Sequence, residues 1–164
     1  MAARSSVLLE GSCHCGSVRF RVNSPSPYPY LYCYCSICRK TAGGGGYAIN
    51  LGADANTLEV EGQEHVRVYR ARIDDERDPS PAEWHSCSVC GSALWVFNPW
   101  WPELVHPFAS AVDTPLPEPP EKVRMMLNYA APWVEIPADQ NERHFPEFPD
   151  ESLEDWHRRH GLLG

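Results

Sequence analysis

Apolar and polar residues alternate along several short stretches of the chain, and this pattern predicts strands. The clearest case is 18–22, where Val18, Phe20 and Val22 alternate with two arginines, as in a strand with one buried and one solvated face. Further strands are predicted at 47–51, 58–60, 66–69, 93–97, 123–127 and 133–136. Turn-rich segments separate the first four strands, which are therefore expected to form a meander.

Helical spacing is convincing only near the end of the sequence. Four residues share one face at spacings of three and four: Leu153, Trp156, His157 and His160. Asp150 is predicted to cap this short helix and Gly161 to close it. Because the chain has 16 prolines and 11 glycines, long helices are not expected. The acidic, proline-bearing segment 73–83 is predicted to be an exposed loop.

Length and charge limit the class of protein. At 164 residues, with 43% hydrophobic residues, the chain suits one folded domain with one sizeable core. Its formal charge of -8 provides no basic patch for nucleic acid, so a nucleic-acid partner is not expected. The first ten residues resemble neither a secretory signal nor a membrane span, and a cytoplasmic protein without membrane association is therefore expected.

Seven cysteines carry the chemistry of this sequence. They form three clusters, Cys13-x-Cys15-Gly, Cys33-x-Cys35-x-x-Cys38 and Cys87-x-x-Cys90-Gly. An odd number of cysteines in tight clusters suits disulfide pairing badly in a reducing compartment, whereas thiolates at these spacings suit a metal. Two close ligands need a sharply turned backbone, which Gly16 and Gly91 can provide.

Zinc geometry favours a division of the seven thiolates into four and three. A structural zinc takes four protein ligands, whereas a catalytic zinc takes three and keeps one position open. The compact cluster at 33–38 can wrap one ion alone, and the two remote pairs can share another. Two simpler interpretations stay open, namely one closed zinc site with three idle thiols and a set of buried, unligated cysteines.

The order and spacing of these cysteines resemble one known family. C-x-C-G, C-x-C-x-x-C-R and C-x-x-C-G, between residues 11 and 113, are similar to the glutathione-dependent formaldehyde-activating enzymes, or S-(hydroxymethyl)glutathione synthases, which share a domain with centromere-protein-V-like proteins. The resemblance implies a mostly β fold of coiled antiparallel sheets, called a β-tent, here with a short C-terminal helix. It implies a structural zinc on Cys13, Cys15, Cys87 and Cys90, and a catalytic zinc on Cys33, Cys35 and Cys38. The whole chain, 1–164, is then one zinc-binding domain with a core at about 8–136 and an extension at about 137–164.

The same resemblance implies a carbon–sulfur lyase. Its substrates would be a small thiol such as glutathione and a small aldehyde such as formaldehyde. Arg39 and Lys40 adjoin the three-cysteine cluster and, with the amides of 43–46, are candidates to contact an anionic thiol or the adduct's oxygen; solvated surface charges are the alternative. His106 is a candidate general base or fourth ligand, against the more common role of a satisfied core or surface histidine.

Two other functions stay open on the sequence. A zinc-stabilised interaction module without catalysis could bind a protein partner through the aromatic residues near Trp100 and Trp101. A lyase could also act on a different thiol or aldehyde. The incomplete ligand set at 33–38 favours an enzyme, because a pure scaffold has no use for an open coordination position.

Overall fold

The computed structural model describes residues 6–72 and 79–162, which form short strands and two short helices. The strands are β1 Val7–Ser12, β2 Arg19–Ser24, β3 Tyr30–Cys33, β4 Ala48–Asn50, β5 Ala53–Asp54, β6 Glu59–Glu61, β7 Val66–Tyr69, β8 Glu83–Cys87, β9 Ala93–Phe97, β10 Leu104–Pro107, β11 Lys122–Met125 and β12 Glu142–His144. The helices are α1 Ser36–Thr41 and α2 Leu153–Arg159. The predicted mostly β fold with a short C-terminal helix is therefore confirmed.

Two of the three sheets are antiparallel. The first has the order β1-β2-β6, and its central strand buries Phe20 and Val22 while Arg19 and Arg21 face solvent, as the alternation at 18–22 predicted. The second has the order β5-β10-β9-β8-β7, in which β7 to β10 form a meander of consecutive strands. The meander predicted from 18–22, 47–51, 58–60 and 66–69 is wrong, because those strands belong to three sheets.

The third sheet is mixed, which departs from the all-antiparallel expectation. Its order is β12-β11-β3-β4, and β11 runs parallel to both β3 and β12. Parallel neighbours need a long connection between them, and most of the chain lies between β3 and β11. The C-terminal extension thereby supplies strand β12 to the sheet that contains β3, the strand that ends at Cys33.

Proline and backbone geometry explain the other strand errors. Residues 133–136, predicted as a strand, lie between two prolines in a turn where the Val134 amide donates to the Ala131 carbonyl at 3.1 Å. The strand predicted to reach 127 stops at Met125, because Met126 has a positive φ of 59°. Of the predicted loop 73–83, residues 73–78 lie outside the described residues and Glu83 begins β8.

The helices differ from prediction in detail. The cap of α2 is Ser152 rather than Asp150, since the Ser152 hydroxyl accepts the Asp155 amide at 3.0 Å. Gly161 closes the helix as predicted, with a φ of +67°. Helix α1 was not predicted, because its six residues bury only Cys38 and show no apolar period.

The core of the described residues has two parts, and each contains cysteines of one of the two cysteine groups. One cluster surrounds Phe20 and Trp95 and includes Cys13 and Cys87. The other includes Cys33, Cys38 and Trp156, so helix α2 packs into the same cluster as the three-cysteine segment. Trp156 is 3% exposed, and its indole N–H donates to Glu121 at 3.0 Å.

Replacing Trp156 with alanine is expected to lower the free energy of unfolding by about 3–5 kcal/mol, because it empties a buried aromatic site. The measurement is urea unfolding followed by circular dichroism. Trp133→Ala is the matched control: Trp133 is 65% exposed, and its loss should change stability by about 0.5 kcal/mol or less. Equal effects of the two changes would contradict the packing described for α2.

Candidate metal centres

Four cysteines from two distant turns bring their sulfur atoms together. Cys13 and Cys15 follow β1, Cys87 ends β8 and Cys90 precedes β9, and their ligand atoms all lie within 4.8 Å of one another. Cys15 Sγ is 3.6 Å from Cys13 Sγ and 3.8 Å from Cys87 Sγ. Sulfur atoms bound to one tetrahedral zinc stand about 3.8 Å apart, so this four-cysteine group fits such an ion.

Glycine turns give the four-cysteine group its shape. Gly16 and Gly91 have φ of +80° and +81°, a region in which a side chain would be strained. The turned backbone directs amides at sulfur: Val18 N lies 3.2 Å from Cys13 Sγ, and Val89 N lies 3.4 Å from Cys87 Sγ. Such amides stabilise thiolates, which are the form that binds metal.

Two serines also support this group. The Ser17 hydroxyl lies 3.2 Å from the Cys15 sulfur, and the Ser92 hydroxyl lies 3.2 Å from the Cys90 sulfur. Hydrogen bonding to Ser92 lowers the pKa of the Cys90 thiol to about 5, and Ser17 lowers the pKa of Cys15. Neither serine was predicted from the sequence, although each stands two positions after a cysteine in the order Cys-Gly-Ser.

The three-cysteine group is formed by the end of a strand and the start of a helix. Cys33 ends β3, Cys35 caps α1 and Cys38 lies within α1, and their sulfurs lie within 4.8 Å of one another. Cys35 Sγ accepts the Cys38 amide at 3.3 Å, so the same sulfur both caps the helix and joins the group. Among the described residues, no histidine, aspartate, glutamate or further cysteine completes the group.

The protons of the three-cysteine group are unevenly shared. The thiols of Cys33 and then Cys38 hydrogen-bond to the Cys35 sulfur and lower its pKa to about 3. The pKa of Cys33 rises to about 12, chiefly through its hydrogen bond with Cys35, and the pKa of Cys38 is also raised. The group therefore carries a thiolate at Cys35, while a metal would have to displace the protons of Cys33 and Cys38.

A cavity of about 670 Å³ lies between the four-cysteine group and the end of α1. The four-cysteine side contributes Cys13 and Ser92, and the end of α1 contributes Arg39 and Lys40, so both predicted cations line it. Arg39 Nε is buried and has no hydrogen-bond partner in the described part of the chain. An unsatisfied buried donor of this kind suits an anionic or carbonyl-bearing ligand.

Gly43 and Gly44 of the glycine loop line the same cavity as Arg39 and Lys40, whereas His106 does not. The amide of Gly46 donates to the Gly43 carbonyl at 3.1 Å, so it is occupied within the loop. His106 lies in a separate cavity of about 480 Å³, where its Nδ1 is 3.0 Å from the Leu51 carbonyl oxygen. It belongs to neither cysteine group, and the interpretation of a satisfied histidine fits it.

Comparison with known proteins agrees with this arrangement. The family model described as "glutathione-dependent formaldehyde-activating enzyme" matches residues 8–124, which include all seven cysteines. The chain belongs to this family. The sequence resemblance is therefore confirmed, while β12 and α2 lie beyond the matched residues.

Two individual proteins that are similar to this chain extend the comparison. A Halomonas elongata protein with the provisional name glutathione-dependent formaldehyde-activating enzyme is 64% identical over 156 residues, covering 95% of this chain and 98% of its own. The crystal structure of a Rhodobacter sphaeroides protein has a TM-score of 0.52 and 25% identity, covering 66% of this chain and 91% of that one. The first supports similarity along the whole chain and the second supports the fold.

The donor sets fit a metal that prefers sulfur. Thiolates select soft or borderline ions, and zinc is known both in closed sites with four sulfur ligands and in open sites with three protein ligands. The cysteine groups could therefore hold a metal such as zinc. Within 6–72 and 79–162, no helix has the length and apolar character needed to cross a bilayer.

Cys90→Ser is expected to release the metal of the four-cysteine group and to loosen two turns that lie far apart in sequence. Cys15 and Cys87 are 72 residues apart, and a cross-link that closes a loop of this length contributes about 4 kcal/mol. The melting temperature should therefore fall by about 10 °C in calorimetry. Ser88→Ala, an exposed change in the same turn, is the control and should leave it unchanged. Equal melting temperatures for Cys90→Ser and the parent chain would contradict the cross-link.

Proposed function

We propose that this protein is a carbon–sulfur lyase that joins a small thiol such as glutathione to a small aldehyde such as formaldehyde, and that also cleaves the adduct. Membership of the family and the name of the Halomonas elongata relative support this reaction. The observation that carries the proposal is the group of Cys33, Cys35 and Cys38, whose three sulfurs converge without a fourth ligand among the described residues. We further propose that the reaction takes place in the cytoplasm, where the seven free cysteines remain reduced.

We propose two zinc ions per chain, with different tasks. Cys13, Cys15, Cys87 and Cys90 would hold a structural ion, since four ligands leave no position for a substrate. Cys33, Cys35 and Cys38 would hold a catalytic ion with one open position. Bound there, zinc would favour the thiolate form of a coordinating substrate thiol at neutral pH.

The proposed reaction needs no oxidant or reductant. The substrate sulfur attacks the carbonyl carbon of the aldehyde, a carbon–sulfur bond forms, and the carbonyl oxygen takes up the proton that the thiol has lost. Cleavage of the adduct reverses each of these movements. The protein therefore has to bind both substrates, exclude competing water and stabilise the negative charge that develops on the oxygen.

Arg39 and Lys40 are the proposed contacts for the anionic thiol. Both line the cavity beside α1, immediately after Cys38, in a protein whose formal charge is -8. Glutathione carries net negative charge, so cations at this position offset the repulsion from the rest of the chain. The unsatisfied Nε of Arg39 adds a directed donor for a carboxylate or for the oxygen of the adduct.

We also propose that 1–164 is a single zinc-binding domain, with a core at about 8–136 and an extension at about 137–164. The pairing of β12 with β11 supports this division into core and attached extension. The burial of Trp156 in the cluster that includes Cys33 also supports it.

Cys35→Ser is expected to remove about one zinc per chain and to lower activity at least about 100-fold, because it deletes a ligand of the open site. The measurements are metal content, glutathione binding by calorimetry and the rate of adduct formation. Ser36→Ala, at an exposed neighbouring position, is the control. Unchanged zinc content together with unchanged glutathione binding would end the proposal.

Arg39→Gln is expected to raise the KM for glutathione three- to tenfold at unchanged zinc content, since one partly exposed charge contact contributes about 1 kcal/mol. Lys40→Gln, at a more exposed position, should have a smaller effect. Arg21→Gln removes a cation that pairs with Glu59 in the first sheet and does not line the cavity of Arg39, so it serves as the charge control. If Arg21→Gln and Arg39→Gln raise KM equally, the effect is one of net charge and the assigned contact is wrong.

One observation favours the alternative of an interaction module without catalysis. Trp100 and Trp101 are 70% and 52% exposed and form an edge-to-face pair with ring centroids 6.2 Å apart. An exposed aromatic pair suits a protein partner.

Exchange between free glutathione and its formaldehyde adduct, followed by NMR, separates the two functions. Catalysis requires that the protein accelerate this exchange over its spontaneous rate, and no acceleration favours the interaction module. A lyase specific for another thiol or aldehyde would show acceleration only with that substrate.

A further inference from the structure

A buried ion pair joins the last two strands of the mixed sheet. Arg124 of β11 donates through Nε and Nη2 to the two carboxylate oxygens of Glu142 in β12, at 2.9 and 2.7 Å. Arg124 is 5% exposed, and the Glu142 side chain is 2% exposed. Two parallel hydrogen bonds fix the plane of the guanidinium as well as its position.

The third nitrogen of the guanidinium contacts a residue that lies between two of the three cysteines. Arg124 Nη1 donates to the Tyr34 hydroxyl at 2.6 Å, and Tyr34 is fully buried. Tyr34 lies between Cys33 and Cys35 in the chain, and its amide donates to the Met125 carbonyl at 3.1 Å. The residue between two of the three sulfurs is thus held at both its backbone and its side chain.

Further contacts limit the movement of this network. The Arg124 guanidinium stands 4.4 Å from the centre of the Tyr32 ring, one residue before Cys33. The ring of Tyr47 packs against both Tyr32 and Tyr34, with centroids 5.2 and 5.3 Å away. His144 Nε2 lies 2.9 Å from a Glu142 oxygen and helps to hold that carboxylate.

Stability alone does not explain this network. Removing two charges from water costs free energy that their attraction often fails to recover, and apolar residues of similar size are frequently as stable. Positioning explains it better, because metal ligands have to be held within about 0.5 Å of their productive geometry by neighbours that are themselves fixed. Glu142 lies beyond residues 8–124, so the carboxylate comes from outside the segment that the family model matches.

We propose that Arg124 and Glu142 are positioning residues for the three-cysteine group. Acting through Tyr34, they fix the bend that turns the sulfurs of Cys33 and Cys35 toward each other and toward Cys38. The C-terminal extension therefore contributes to the open site without supplying a ligand. This inference rests on the proposed function, since it requires that the three-cysteine group binds a metal.

The test uses cobalt(II), whose thiolate charge-transfer absorption reports binding independently of activity. The full-length apoprotein is titrated with cobalt(II), and the signal of Cys35→Ser, which retains only the four-cysteine group, is subtracted to isolate the open site. Tyr34→Phe removes a single hydroxyl and keeps the ring. The double variant R124M/E142M replaces the ion pair with apolar side chains, so neither charge is left buried and unpaired.

Both variants are expected to weaken cobalt(II) binding at the three-cysteine group about 10- to 100-fold, the usual effect of removing support behind a metal ligand. Binding at the four-cysteine group should stay within about twofold, and the melting temperature of R124M/E142M should stay within a few degrees of the parent. Arg159→Met, on the same extension, is the matched control: it removes ion pairs with Glu121 and Glu151, neither of which is part of the network around Tyr34.

Three outcomes would overturn the proposal. One is unchanged binding at the three-cysteine group in a folded R124M/E142M variant. Another is an equal loss at both cysteine groups, and the third is an equal loss in Arg159→Met, since either would indicate general destabilisation. Failure of the proposed function is distinct: the parent chain itself would then show cobalt(II) binding at the four-cysteine group only.

Discussion

The convergence of four sulfur atoms from two glycine turns is the constraint on which the rest of the structure depends. Cys15 and Cys87 lie 72 residues apart, yet their sulfurs are 3.8 Å apart. The first turn follows β1 and the second joins β8 to β9, so one cluster connects the first sheet to the second. Cys13 and Cys87 are also buried in the larger part of the core. Apolar packing around these two cysteines therefore favours the same placement of the two turns as the convergence of the four sulfurs.

The three-cysteine group stands on a different part of the fold and has a different chemical character. Its ligands lie within six positions of one another, so the local strand-to-helix turn brings them together without a long-range cross-link. The tertiary fold adds contacts to this turn: Arg124 of β11 donates to Tyr34, and β11 pairs with both β3 and β12. A four-cysteine group that joins two sheets and a three-cysteine group that lies at the end of one strand can then coexist in one small chain.

Much of this site could be predicted because its information is local. The spacing of the cysteines and the glycines after Cys15 and Cys90 indicate the two groups directly, since a turned C-x-C or C-x-x-C segment has few other uses. The alternation at 18–22 likewise reports a strand with one wet face. Contacts between residues that only the tertiary fold brings together leave no local pattern in the sequence. Nothing near Arg124 indicates Glu142, because their contact depends on a parallel strand pair formed after a connection of many residues.

The errors in secondary structure have the same origin. Helix α1 was also not predicted because its N-cap residue is Cys35, rather than one of the usual capping residues such as serine or aspartate. The strands β3 and β12 are short and carry no clean alternation, so only their sheet neighbours define them. Tertiary pairing therefore decided the elements that the local pattern left undefined.

The parallel pairing of β11 with both β3 and β12 has a consequence for biosynthesis. All ligands of the four-cysteine group, and all of the three-cysteine group, leave the ribosome before β11 does. The closed group needs only residues that are already outside, whereas the sheet behind Cys33 stays incomplete until the final segment has been translated. An ion held by the four-cysteine group could thus bind early, but the sheet behind the three-cysteine group is finished only at the end of translation.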